Sequence, residues 1–258
     1  MLNFAIQTAR DSGRLLAERL GRIKEIKYKS EIDLVTEADL ASERLIIDRI
    51  KNHYPRHSIL AEESGEMKII GGGTSADDWK WIVDPLDGTT NYAHAYPMFC
   101  VSIALEHNGA IELGVIYDPM RDEMFTAERG RGAALNERRL QVSQINSLNH
   151  AMVCTGFPYE LAGRVEAARL MAEFVIHGQA VRRDGSAALD LAYVACGRFE
   201  GFWEIGLRPW DVAAGVLMVQ EAGGQVTNFK GQTFDIYQPP ILATNGLVHE
   251  QMLHCLTK

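Results

Sequence analysis

The segment Trp81-Ile82-Val83-Asp84-Pro85-Leu86-Asp87-Gly88-Thr89-Thr90-Asn91-Tyr92 places two carboxylates three residues apart at the end of an apolar run. An apolar strand would deliver Asp84 at its carboxyl end, and Pro85 and Gly88 would force a sharp exit. Asp84 and Asp87 can then point into the same small volume. Two such carboxylates repel unless a cation lies between them, so a metal or a shared proton is expected. Gly88, Thr89 and Thr90 read as the start of a short helix, whose free N–H groups attract an anion, typically phosphate. Carboxylates for a cation beside amides for an anion suit a metal-dependent phosphate enzyme. The plainer alternative is a capped turn, with Asp87 capping a helix and Asp84 ending a strand. An aspartyl-phosphate phosphatase would need D-x-D-x-T, and the D-x-x-D spacing here is one residue too long. A Walker loop is also excluded, because Gly71-Gly72-Gly73 is not followed by Gly-Lys-Ser or Gly-Lys-Thr.

Two further segments carry acid at the ends of regular elements. Leu60-Ala61-Glu62-Glu63-Ser64-Gly65 is a strand that runs into acid before a loop. Arg208-Pro209-Trp210-Asp211-Val212-Ala213-Ala214-Gly215 puts Asp211 at the opening of an apolar helix, where an N-cap is the default reading.

The elements that must position these acids follow from periodicity. Helical patterns span 2–21 and 38–53, the second with Thr36 and Asp39 in the spacing of a capping box and a stop before Pro55. Residues 59–61 and 79–83 read as short buried strands, with a flexible loop at Gly71 to Thr74 between them. From Cys100 the period becomes two: Val101, Ile103 and Leu105 alternate out, Asn108-Gly109 turns the chain, and Ile111, Leu113, Val115 and Tyr117 alternate back. Residues 124–126 and 140–142 are expected to extend this antiparallel meander. Beyond residue 145, strands at 152–155, near 181, at 202–205, 225–229 and 241–244 are interleaved with helices at 160–177, 186–195, 212–222 and the C-terminus. Strands and helices in batches imply layered sheets and helices with a junction at 143–150.

The chain has 258 residues, 26 Lys+Arg against 34 Asp+Glu, and a formal net charge of −8. Its 47% hydrophobic content excludes a largely disordered chain, and the acid surplus argues against a polyanion such as DNA as main partner. No window approaches a membrane span, and the charge at Arg10 and Asp11 interrupts any signal-peptide core. A reducing cytoplasm is the expected location, and Cys100, Cys154, Cys196 and Cys255, far apart in sequence, read as buried free thiols.

Taken together, the acidic segments resemble the inositol monophosphatase family, the lithium-sensitive, magnesium-dependent phosphatases. The matches are to its D-P-[IL]-D-G-T-T-N core, its upstream E-E-S and its downstream W-D-[VFA]-A-[AG]-G. The stretch from Arg182 through Gly185-Ser186-Ala187 to Ala195 is similar to bacterial members in particular, and Thr36-Glu37-Ala38-Asp39 fits an early T-x-x-D. The resemblance implies an α+β fold, a layered αβαβα sandwich of the sugar/inositol phosphatase type. Residues 1–145 would form an N-terminal lobe with an antiparallel sheet and most metal ligands, and 146–258 a C-terminal lobe with the substrate loop and Asp211, together one catalytic unit.

Carried over residue by residue, the resemblance makes Glu62, Asp84, Asp87, Asp211 and the Leu86 carbonyl ligands for two to three Mg²⁺ ions, with Glu63 outside the inner ligand shell. Thr89 and Glu62 would orient an attacking water, and Asp39 would lie near a third, weaker metal and close to Thr89. Asp87, Gly88, Thr89, Gly185, Ser186, Ala187, Glu204 and Asp211 would bind substrate, the amides of Gly88 and Thr89 taking the phosphate and Glu204 a hydroxyl. The implied reaction is in-line hydrolysis of a phosphate monoester, inositol 1-phosphate above all, without a covalent phosphoenzyme. Alternatives on the same chemistry are fructose 1,6-bisphosphate, a nucleotide 3′-phosphate, NADP and histidinol phosphate. Asp184, beside the expected substrate loop, adds negative charge that would disfavour a second phosphate. A homodimer is expected, with no membrane and no direct nucleic-acid partner. A different class of function is regulatory, by binding transcription machinery through Arg182, Arg183, Arg22, Lys24, Lys27 and Lys29; for the lysines a solvated surface loop is the plainer reading.

Overall fold

The computed structural model describes residues 1–23, 26–28, 34–68 and 78–258, with Tyr28 described by its backbone alone. The expected loop at Gly71 to Thr74, and Lys24 and Lys29, lie outside the described residues. The chain opens with helix α1 (Leu2–Arg19), the paired strands β1 (Ile26–Tyr28) and β2 (Leu34–Thr36), and helix α2 (Glu37–His53). Strands β3 (Ser58–Ala61), β4 (Gly65–Met67) and β5 (Trp79–Asp87) lead into the short helix α3 (Thr89–Ala93). An antiparallel run follows: β6 (Cys100–His107), β7 (Ala110–Asp118), β8 (Glu123–Glu128), β9 (Gly132–Leu135) and β10 (Arg138–Arg139). Then come β11 (Met152–Thr155), α4 (Leu161–His177), β12 (Ala180–Arg182), α5 (Ala187–Ala195) and β13 (Gly201–Glu204). The chain closes with α6 (Pro209–Glu221), β14 (Gln225–Thr227), β15 (Ile241–Thr244) and α7 (His249–Leu256).

Among the described residues, β3 to β10 form an eight-stranded sheet in the order β10-β9-β8-β7-β6-β5-β3-β4, and β11 to β15 a five-stranded sheet in the order β12-β11-β13-β15-β14. Strand alternation assigns the layers. Trp81 and Val83 of β5 enter a core with Ala5 and Leu16 of α1 and Ile46 and Ile50 of α2, whereas Ile82 faces α5 and α6. In the smaller sheet Phe202 faces α5 and α6, while Trp203 joins Phe174 of α4 and Met252 of α7. The five layers are therefore α1/α2, large sheet, α5/α6, small sheet and α4/α7, the expected α+β sandwich.

The central helices are apolar around nearly their whole circumference, as elements buried between two sheets must be. Close approach of α6 to the large sheet requires Gly114: a Cβ there would lie 2.8 Å from the Ala214 Cα. The Asn108-Gly109 turn forms as read, both residues taking positive φ (50° and 80°), which matches the twist of the flanking strands. Two readings need correction. Residues 140–142 are not a strand: β9 and β10 occupy the sheet edge, and the Leu140 N–H donates to Ala133 and the Val142 N–H to Ala222. Lys27 lies on β1, paired with Val35, and not in a loop.

Candidate active site

Strand β5 does not stop at Asp84 but runs through to Asp87, and this corrects the expected sharp exit. Asp84 pairs with Ser102 and Asp87 with Cys100, so three steps along β5 match two along β6. Residues three apart on a regular strand face opposite sides of the sheet. The one extra residue of this bulge turns Asp84 and Asp87 to the same side. Pro85 is tolerated there because a bulge releases a backbone donor from the ladder. The bulge is held by the Leu86 N–H donating to Asp84 Oδ1 at 3.0 Å and by the Ser42 hydroxyl donating to the Pro85 carbonyl at 2.7 Å.

Gly88 then takes φ 98°, and a Cβ on it would lie 2.8 Å from the Met98 carbonyl oxygen, so both conformation and space demand glycine. Thr89 begins α3, as expected. Its hydroxyl lies 3.0 Å from both Asp39 Oδ1 and the Leu86 carbonyl and donates between them. Asp39 Oδ2 accepts from the Thr36 N–H at 2.8 Å and the Thr36 hydroxyl at 2.5 Å, completing the capping box read from sequence. Asp39 is fully buried behind Thr89 and does not line the cleft.

The other acids arrive from distant elements. Glu62 follows β3, its N–H donating to Val83 of the neighbouring β5 at 3.2 Å. Asp87 Oδ2 accepts from the Ser186 hydroxyl and from the Ala188 N–H, each at 2.7 Å, which ties it to the start of α5. Asp211 is not the N-cap of α6. Pro209 opens that helix, and Asp211, two residues further on, accepts the Arg208 N–H at 2.7 Å. Glu204 ends β13, and Gly156 makes room for it: a Cβ at 156 would lie 2.1 Å from Glu204 Oε2. Asn91 Nδ2 bridges the Met98 and Asp184 carbonyls at 2.8 Å each, fixing α3 against the segment that carries Gly185.

Glu62, Asp84, Leu86, Asp87, Gly88, Thr89, Gly185, Ser186, Ala187, Glu204 and Asp211 all line one cleft of about 1440 Å³. Of the site residues expected from sequence, only Asp39 lies behind it. Burial raises the Asp84 pKa well above the ordinary carboxylate range, and the charges of Glu62, Asp87 and Asp211 raise it further. Asp211 is likewise pushed well up, first by burial and then by Asp87. Asp87 is raised by burial against the opposing effect of its Ser186 and Ala188 hydrogen bonds. Glu204 is pushed up to about 8, by burial and the Asp87 charge, with the Arg183 charge acting the other way.

This donor set fits a hard divalent cation: all-oxygen, acidic and mutually repelling without positive charge. Among the described residues no three Asp, Glu, His or Cys side chains are already gathered closely enough to hold a metal ion. Mg²⁺ is compatible with such an open set, since it keeps several waters and is commonly held by one or two carboxylates with substrate phosphate.

Sequence reasoning missed several residues here. Asp190 of α5 is fully buried, lines the cleft, and leaves Oδ1 without a hydrogen-bond partner. Arg183, read from sequence only as part of a basic patch for a regulatory partner, also lines the cleft and lies over the Phe157 ring at 5.3 Å. Ser42 and Glu43 of α2 support the acidic segments from behind. Their spacing from Asp39, on the inward stripe of α2, was a usable signal.

Residues 1–258 match the model of the inositol monophosphatase family. The chain is 45% identical to the Nus factor SuhB of Pseudomonas aeruginosa, over 98% of this chain and 94% of that protein. It is 42% identical to the inositol-1-monophosphatase of a Synechocystis species, over 99% and 88% of the two chains. The crystal structure of the extragenic suppressor protein suhB from Bartonella henselae superposes with a TM-score of 0.93 at 42% identity, covering 99% of this chain and 98% of that one.

Proposed function

Because the chain belongs to the inositol monophosphatase family, we propose that it hydrolyses a phosphate monoester in a Mg²⁺-dependent reaction, with inositol 1-phosphate as substrate. The observation that carries this reading is the opening of Glu62, Asp84, Asp87 and Asp211 on one cleft, where the neighbouring charges add to burial in raising the pKa of Asp84 and of Asp211, beside the helix start at Gly88 and Thr89. The supporting relative is the Synechocystis inositol-1-monophosphatase.

In this reading Glu62, Asp84, Asp87, Asp211 and the Leu86 carbonyl hold the metal. When bound, two or three Mg²⁺ ions would neutralise phosphate oxygens, acidify a water and stabilise the leaving oxygen. Thr89 and Glu62 orient the attacking water. The Thr89 proton is committed to Asp39 and Leu86, so its oxygen is left to accept from that water. Asp39 thus fixes the direction of the Thr89 dipole without facing the cleft. The Gly88 and Thr89 N–H groups bind phosphate oxygens. Burial pushes the Glu204 pKa up to about 8, which favours the neutral carboxyl, and a neutral carboxyl both donates to and accepts from a substrate hydroxyl. Gly185, Ser186 and Ala187 flank the substrate ring, and Asp87 and Asp211 complete its contacts. The leaving alkoxide takes its proton from water.

Phosphate release from a panel of monoesters, measured with Mg²⁺, with EDTA and with added Li⁺, tests the proposal. Release from inositol 1-phosphate that EDTA abolishes is expected, with inhibition by Li⁺; release from none of the esters overturns it. Faster turnover of fructose 1,6-bisphosphate, a nucleotide 3′-phosphate, NADP or histidinol phosphate reassigns the substrate. A second reading is association with transcription machinery, favoured by the 45% identity to a protein named as a Nus factor. The exposed Arg22, Lys27, Arg182 and Arg183 are its surface. Stable capture of RNA polymerase components, unchanged by Asp87→Asn, would support it. A homodimer is proposed on the exposed apolar residues of α4, Leu161, Val165, Val175 and Ile176, and light scattering tests it. A cytoplasmic location suits four free cysteines, and no helix among the described residues is long and apolar enough to cross a membrane.

A further inference from the structure

The inward stripe of α2 changes character along its length. Ile46 and Ile50 belong to the apolar core, but the preceding positions on the same stripe, Asp39, Ser42 and Glu43, are polar and no more than 3% exposed. Burying three polar side chains in succession costs free energy unless each has a partner. Each has one, on a different segment that carries a cleft residue. Asp39 receives the Thr89 hydroxyl, and Ser42 donates to the Pro85 carbonyl of the bulge and lies 2.6 Å from the Ser12 hydroxyl of α1. Glu43 reaches the turn after β3. One of its oxygens accepts the Glu63 N–H at 2.8 Å and the other accepts the Ser64 hydroxyl. The Glu43 carboxylate thus takes two donors, both from the Glu63-Ser64 turn.

The Glu62-Glu63-Ser64 turn is consequently clamped from two sides. The Glu62 N–H is tied to Val83 of β5, and the adjacent Glu63 N–H to Glu43 of α2. We infer that Glu43 is a positioning residue: by gripping the Glu63 amide and the Ser64 hydroxyl it sets the direction in which the Glu62 side chain enters the cleft, and with it the affinity of the site for a divalent cation. This inference rests on the reading of Glu62 as a metal ligand. It extends that reading to a residue that touches neither metal nor substrate. Partners that orient a ligand from behind typically contribute about 10–100-fold to metal affinity.

The test is equilibrium binding of Mn²⁺, used as a paramagnetic probe, to the full chain, followed by electron paramagnetic resonance alongside thermal melting. Glu43→Ala should weaken Mn²⁺ binding at least tenfold. Glu43→Gln, which keeps the shape and one acceptor oxygen, should recover most of that loss. Mn²⁺ affinity within twofold of wild type in a folded Glu43→Ala protein overturns the inference, as does an equal loss in Glu43→Ala and Glu43→Gln. If Glu43→Ala does not fold, Glu43→Asp serves: the carboxylate stays but is one methylene too short to span to the Glu63 amide. The same tenfold loss is expected, and wild-type affinity overturns the inference. Asp84→Asn separates the two levels. If Asp84→Asn also binds Mn²⁺ like wild type, the metal-site reading itself fails, whereas loss there with wild-type behaviour at position 43 removes only the role of Glu43.

Discussion

Ser186→Ala removes one of the two short hydrogen bonds that hold a single carboxylate oxygen, a longer contact from the Cys100 thiol at 3.8 Å being the third. Asp87 Oδ2 accepts from the Ser186 hydroxyl and the Ala188 N–H, both at 2.7 Å, in a partly buried setting. A hydrogen bond to a charged group of this kind contributes about 1.5–3 kcal/mol, and at about 1.4 kcal/mol per decade this is roughly a 10–150-fold effect. The loss should fall on the site and not on the fold, because Ala fits wherever Ser did and the Ala188 N–H still binds the carboxylate. The hydroxyl lowers the Asp87 pKa against the effect of burial; without it the folded-state pKa rises and the ionised form is populated only at higher pH. The variant should show kcat/KM for inositol 1-phosphate reduced about 10–150-fold, a higher Mg²⁺ concentration for half-maximal rate, and an acid limb of the pH–rate profile displaced upward. Ser186→Thr, which keeps the hydroxyl, should recover part of the loss. Initial rates over a grid of Mg²⁺ and pH, with melting curves, supply every quantity. Wild-type rates in Ser186→Ala at limiting Mg²⁺ would refute the reasoning, since Asp87 would then not depend on this donor.

Three other outcomes are expected. Asp87→Asn should lower turnover at least 100-fold, about 3 kcal/mol, with a melting temperature near that of wild type; near-normal Mg²⁺-dependent turnover would dismiss Asp87 as a ligand. Gly156→Ala puts a Cβ 2.1 Å from Glu204 Oε2 and must displace that carboxyl, so KM for a polyol phosphate should rise about tenfold, about 1.4 kcal/mol, while hydrolysis of an aryl phosphate that offers no hydroxyl is spared. Equal losses on both esters would count against Glu204 as a hydroxyl contact. His249, buried between Thr227 Oγ1 at 3.0 Å and Thr244 Oγ1 at 2.9 Å, has its pKa lowered by burial. The unfolded chain therefore takes up the proton first, and stability is lost as pH falls below about 6.5 toward the lower native value, by at most about 1.4 kcal/mol per pH unit. Urea midpoints between pH 7 and pH 5 should fall more steeply for wild type than for His249→Asn, and parallel slopes would exclude this role.

What could be read from the chain itself was local. The Thr36–Asp39 capping box, the Asn108-Gly109 turn and the alternation of 100–117 each depend on residues within a few positions of one another, and the structure contains all three. The D-x-x-D-G-T-T stretch and its partner acids at 62 and 211 were also legible, because side-chain type and order are properties of the sequence. Their convergence was expected from the resemblance, but the geometry that produces it is not a local property. Asp84 and Asp87 share a side only because β5 pairs with β6 through a bulge, and a register shift is a property of two strands. Asp211 could be placed at a helix start, but Pro209 begins that helix early enough to move it inside the first turn. Residues 140–142 have the composition of a strand, yet their backbone donors go to Ala133 and Ala222, across contacts that no local pattern encodes. The same holds for Ser42 and Glu43, whose polar atoms would suit an exposed face until α2 packs against the cleft wall. Periodicity states which face of an element avoids water. Which element meets that face, and with what offset, is decided when the layers close and every buried polar atom must find its partner.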